Sequence, residues 1–184
     1  MSFMKRCGWA YRLSAVLLLG ASVPFLGACA NTPDGFTSLP AAETPRFDAI
    51  VFFEGRSEGR GRLSKVFSGT VPVRVESVGV VEADGSLTLV QRIEEGDKEP
   101  RTREWSIRET LPGRYAGTLT DAIGPIEGTS EGNRLTLSYK MDDGFRVRQV
   151  LTLAPDGQSA SNRLKVSILG VTVAVLAEDI VKAE

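Results

Sequence analysis

Residues 134–140 read RLTLSYK, and their alternation decides the fold. Leu135, Leu137 and Tyr139 fall on one face of an extended chain, while Arg134, Thr136, Ser138 and Lys140 fall on the other. A side-chain period of two belongs to a strand with one dry and one wet face, as in antiparallel sheet. The same parity recurs outward in both directions. VPVRVESVGVV (71–81) sets Val71, Val73 and Val75 against Arg74 and Glu76. REWSIRE (103–109) sets Trp105 and Ile107 against Ser106 and Arg108, and FRVRQVLTL (145–153) sets Phe145 and Val147 against Arg146 and Arg148.

Between these runs lie short turn signals: ADG (83–85), EGD (95–97), LPG (111–113), EGN (131–133), DDG (142–144) and PDG (155–157). Each offers glycine or an Asx residue where a hairpin needs positive φ. Strands that follow one another through short hairpins predict an all-β, antiparallel up-and-down barrel of about nine strands, with a sandwich as the alternative. RFDAIVFF (46–53) reads as a helical turn before the first strand. The apolar ILGVTVAVL (168–176) reads as a strand pair kinked at Gly170, since glycine and β-branched residues disfavour a helix.

FFEGRSEGRGRL (52–63) invites a phosphate-loop reading and fails it. No lysine follows the glycines at the required spacing, no helical pattern succeeds them, and the dinucleotide fingerprint would need glycine at Ser64. The segment reads instead as the first barrel strand. Arg56, Glu58, Arg60 and Arg62 then face solvent, and Ser57, Gly59, Gly61 and Leu63 face inward. Gly59 and Gly61 would leave room there for a ligand or for Phe52 and Phe53 as a plug.

The N-terminus has a different grammar. Lys5, Arg6 and Arg12 precede an apolar run at 15–27 that is shorter than the roughly 20 residues a membrane-spanning helix needs. Those are the marks of a signal peptide. The run ends in LGAC (26–29), which resembles the lipobox of bacterial lipoproteins and makes Cys29 the expected lipidation site. Ordinary cleavage at Ala28-Cys29-Ala30 is the alternative. The chain has two cysteines, and Cys7 falls in the segment to be removed, so no internal disulfide is expected. Ala30 after the cysteine favours the periplasmic face of the outer membrane over inner-membrane retention. Residues 1–28 are read as signal peptide, 29–45 as lipidated cysteine and disordered tether, and 46–184 as the barrel domain. ANTPDGFTSLPAAETP (30–45), with three prolines, has the composition of a linker and would span roughly 20–25 Å.

Composition narrows the chemistry. There are 22 basic and 23 acidic residues, and without residues 1–28, which hold three basic residues and no acidic ones, the formal charge moves from −1 to −4. That is no nucleic-acid footprint. The chain has no histidine, so imidazole-based nucleophilic systems and His-based metal or haem sites are excluded. No cofactor, metal or catalytic residue is expected. Asp121 and Glu127 are the best carboxylate pair for acid–base work on a glycoside, but both read more simply as a strand end and an outward-facing side chain. The acids at 94–97 and at 142–143 lie at turns without calcium-loop spacing.

Several segments, taken in order, resemble a family of Gram-negative bacterial lipoproteins classed as domain of unknown function 3833. They are FDAIVFFEGRSEGRG (47–61), ADGSLTLVQRI (83–93), REWSIRE (103–109), GRYAGTLTDAIGPIEGTSEGN (113–133), LSYKM (137–141) and NRLKVSILGVTVA (162–174). The chain departs from that pattern at QVLTLA (149–154), where relatives carry an acidic pair followed by tryptophan. The resemblance implies an anchored, lipocalin-like β-domain and no activity.

Three functions follow as expectations. The first is a binding module holding an apolar small molecule or lipid inside the barrel, with Gly59 and Gly61 giving room and Trp105 and Tyr115 near a mouth. The second is a structural or assembly module acting through contacts with another envelope protein. An enzyme built on Asp121 and Glu127 is the weakest.

Overall fold

The computed structural model describes residues 30–183, and every period-two segment becomes a strand in it. Residues 1–29, including Cys29 and the signal-peptide reading, lie outside the described residues. Helix α1 (Ala49–Phe53) is followed by β1 (Gly55–Lys65), β2 (Gly69–Val81), β3 (Leu87–Glu95), β4 (Arg101–Leu111) and β5 (Arg114–Leu119). Then come β6 (Ile126–Glu131), β7 (Arg134–Lys140), β8 (Arg146–Leu153), β9 (Ser159–Ile168) and β10 (Val171–Ala183). Each strand pairs with its sequence neighbour, and β1 pairs antiparallel with β10 to close the barrel. The architecture is the up-and-down barrel expected, with ten strands rather than about nine. Closure leaves no free strand edge among the described residues, which removes edge pairing as a route to a partner.

The turn glycines at 85, 96, 113, 132, 144 and 157 all take positive φ. Two hairpins carry that conformation on an apolar residue as well as on a glycine: Phe67 with Gly69 between β1 and β2, and Leu169 with Gly170 between β9 and β10. Neither residue type marks a turn by itself.

One end of the barrel is sealed. Asp48 caps α1 by accepting from the N–H groups of Ile50 and Val51 at 2.9 and 3.1 Å. The helix sets Phe52 against Phe47 (ring centroids 5.1 Å) and edge-on to Phe53 (4.9 Å), and all three rings join the main core. Gly79 lies directly beneath, where a Cβ would collide with the carbonyl of Phe53. Without that glycine the plug cannot seat.

Residues 30–45 lack helix and strand, as their composition suggests, but they differ from a free tether. Their contacts climb the outer wall from the open end to the sealed one. Ala30 N–H donates to the carbonyl of Thr172 at 3.1 Å. Phe36 lies 5.7 Å from the Arg163 guanidinium, and Leu39 N–H reaches Ser161 Oγ at 3.4 Å. Asn133 accepts from Ala42 N–H at 2.8 Å and donates Nδ2–H to the carbonyl of Pro40 at 3.1 Å. The segment is a strap. Val175 and Ala177, outward-facing by strand parity, are buried on the wall that it crosses.

Candidate functional site

The other end is open. The inward faces of the strands enclose a cavity of about 600 Å³, within the usual range for small-molecule sites. Its rim is formed by residues 65–68, Glu95, Arg101, Met141, Phe145 and Ile168, all at strand ends away from α1. Leu164 and Val166 face inward on β9 yet are only half-buried, because the space before them is the cavity. The lining is mainly apolar, and three polar groups interrupt it.

The first polar group sits at the rim. Glu95 accepts from Lys65 and from Lys98, and although burial works against ionisation, those two ammonium groups hold its carboxyl below the ordinary range. The second lies on the β4 side. Asp121 Oδ2 accepts from Arg101 Nη1 at 2.8 Å and from Arg103 Nη2 and Nε at 2.8 and 3.0 Å. That fully occupied oxygen clamps the end of β5 against β4, a structural use of the carboxylate. Glu127 stands on the outer, exposed face of β6, away from the cavity.

The third group is the least expected. Glu178 on β10 points into the barrel and is only 4 % exposed, and burial pushes its pKa from 4.5 up to about 7. Asn162 Nδ2 donates to Glu178 Oε2 at 2.8 Å, which opposes the rise, and neighbouring Asp179 adds to it. Glu178 joins no ion pair among those formed by the described residues. Asn162 Oδ1 and Gln149 Oε1, on residues that line the same cavity, are buried without a hydrogen-bond partner.

The four expected ligand residues separate here. Trp105 lines the cavity, donating Nε1–H to Gln91 Oε1 at 2.7 Å and standing edge-on to Tyr139 at 5.5 Å. Tyr115 belongs to the sealed end instead. Its hydroxyl accepts from Ala49 N–H at 3.4 Å and helps seat the plug. Gly59 and Gly61 face inward as expected, and the space beside them is taken up by Glu178. A Cβ on Gly59 would strike the Glu178 carboxylate, and one on Gly61 would lie 2.5 Å from the Ala177 carbonyl and 2.9 Å from Glu178 Cβ. Phe52 and Phe53 form the plug from outside β1 and do not fill the space at these glycines. Sequence reasoning missed Glu178, although its parity signal was present: it shares a face with Ala174, Leu176 and Ile180 on β10.

Among the described residues no three His, Cys, Asp or Glu side chains gather as a metal site, and no helix is long and apolar enough to cross a membrane.

A closed up-and-down barrel, plugged at one end and hollow at the other, is an architecture suited to holding a small ligand. The chain belongs to the family described as "Protein of unknown function (DUF3833)", which matches residues 24–177. Two solved structures share the fold. One is Rv2717c from M. tuberculosis, at 17 % identity and TM-score 0.57, covering 74 % of this chain and 96 % of that one. The other is a protein with unknown function from the DUF3598 family of Nostoc punctiforme PCC 73102, at 10 % identity and TM-score 0.53. That match covers 77 % of this chain and 51 % of the Nostoc protein, so the chain spans about half its length. No curated protein matches.

Proposed function

We propose that this protein is a lipid-anchored barrel on the periplasmic face of the outer membrane, binding an apolar small molecule or lipid that enters from the bilayer. One observation supports this reading: the start of the strap at Ala30, the mouth and the exposed apolar tips share one end of the molecule. The hydrogen bond from Ala30 to Thr172 holds the chain at the mouth, one peptide bond from Cys29. Phe67 and Leu169, each 97 % exposed, project from two hairpins at that same end, with Ile123 and Val171 also exposed nearby. Both tips occupy positive φ, which bulky residues disfavour, so turn geometry does not account for them. Each gains about 1.5–3 kcal/mol on leaving water, a useful supplement to acyl chains that anchor weakly one at a time.

The orientation is testable in the full chain recovered from membranes and placed in phosphatidylcholine–phosphatidylglycerol vesicles. Fluorophores at Phe67→Cys and Leu169→Cys are expected to be quenched by brominated lipid, and one at Ala83→Cys, beyond the sealed end, is not. Quenching at Ala83, or at none of the three, contradicts the proposal. The protein's mass reports acylation of Cys29 separately.

A second reading has one observation in its favour. Val78, Val80 and Val90 are exposed together on the outer faces of β2 and β3, a place for contact with another envelope protein. Photo-crosslinking from position 80 in cells should then capture one reproducible partner, and its absence would remove this reading.

A further inference from the structure

We propose that the ligand carries a hydrogen-bond-donating head, an amine or a hydroxyl, which seats against Glu178, Asn162 and Gln149 while its apolar chain extends toward the mouth. This rests on the cavity-binding reading and adds the ligand's chemistry to it.

The inner end of the cavity holds an excess of acceptors. Glu178, Asn162 and Gln149 are 4 %, 2 % and 9 % exposed, and all three line the cavity. Within this group the one side-chain hydrogen bond is Asn162 Nδ2–H to Glu178 Oε2 at 2.8 Å. The bond fixes the amide so that Asn162 Oδ1 is left facing outward from it, and both that oxygen and Gln149 Oε1 lack a donor. Buried acceptors without donors are rare in native proteins and expensive, which points to a donor from outside the chain. An uncompensated buried carboxylate points the same way, since such charges are ordinarily paired.

The seat is also built rather than accidental. Glu178 stands opposite Gly61 in the β1–β10 register, and two glycines in β1 clear the volume that its side chain occupies. The cations near the cavity are committed elsewhere: Arg103 to Asp121, and Lys65 to Glu95 at the rim. A carboxylate head would meet Glu178 and two carbonyl oxygens, a repulsive match. An ammonium or hydroxyl head would satisfy the same three acceptors, the ammonium through charge-assisted bonds of about twice the ordinary strength.

The test compares dodecylamine, dodecanol and dodecanoate, one chain length with three heads, by calorimetric titration of the full chain in amphipol at pH 8. Dodecylamine and dodecanol are expected to bind at least tenfold more tightly than dodecanoate. Glu178→Gln should remove most of the amine's advantage and improve dodecanoate. Gln149→Met, which leaves the carboxylate in place, should weaken dodecanol several-fold. Dodecanoate binding as tightly as the others, or an order unchanged by both variants, overturns the inference while leaving cavity binding intact. Failure of all three compounds to bind overturns both.

Discussion

Glu178→Gln is expected to stabilise the protein at pH 8 by roughly 3 kcal/mol, and to leave stability nearly unchanged at pH 4.5. The sign follows from linkage. The folded state holds the Glu178 proton to about pH 7, whereas the unfolded chain releases it near the ordinary 4.5. Native protein therefore binds more protons between those values, and stability falls as pH rises through that window. A difference of about 2.5 pKa units at 1.36 kcal/mol each gives the magnitude. Glutamine keeps the shape and still accepts from Asn162 Nδ2–H, but it has no charge to bury. From β1, Glu178 is faced by Gly59 and Gly61; from β9 by Asn162; Asp179 adjoins it on its own strand. None of these supplies a positive charge. Urea unfolding of both chains at pH 4.5, 6 and 8 should show curves that diverge upward in pH. Parallel curves would mean that water or an unseen counter-charge already compensates the carboxylate.

The largest functional effect is expected from Leu164→Trp combined with Val166→Trp, which should reduce ligand occupancy at least tenfold. Both positions face inward on β9 at successive places along one wall, and both are half-buried because open cavity lies ahead of them. Two indoles there obstruct the passage between the mouth and the Glu178 group. Overpacking costs about 1–3 kcal/mol where a core is already full. Here the added bulk enters empty space, so thermal unfolding should change little. A large fall in melting temperature would instead show that the interior lacks the room described.

The strands were legible because each has one wet face. RLTLSYK and REWSIRE declare their parity within seven residues, and the six turn glycines needed positive φ for reasons visible locally. What escaped were properties set by long-range register. Gly59 and Gly61 were rightly placed inward, but their purpose depends on Glu178, more than a hundred residues later on the strand that closes the barrel. Tyr115 alternates like Trp105, and only the path of α1 decides that one serves the plug and the other the cavity. The strap was read as a free tether because it makes no regular ladder. Its anchors are single side chains, Asn133 and Ser161, and irregular backbone bonds that leave no periodic trace. Phe67 and Leu169 look unremarkable in sequence. They acquire meaning once two hairpins place them at the same rim as Ala30.

The central claim, that the barrel interior is a ligand site, is tested most directly by native mass spectrometry of the full chain released gently from membranes. The wild type should carry one small amphiphile per chain as a discrete mass adduct, and Leu164→Trp with Val166→Trp should appear without it. A wild type that flies bare, or an adduct of equal abundance in both proteins, would contradict the account.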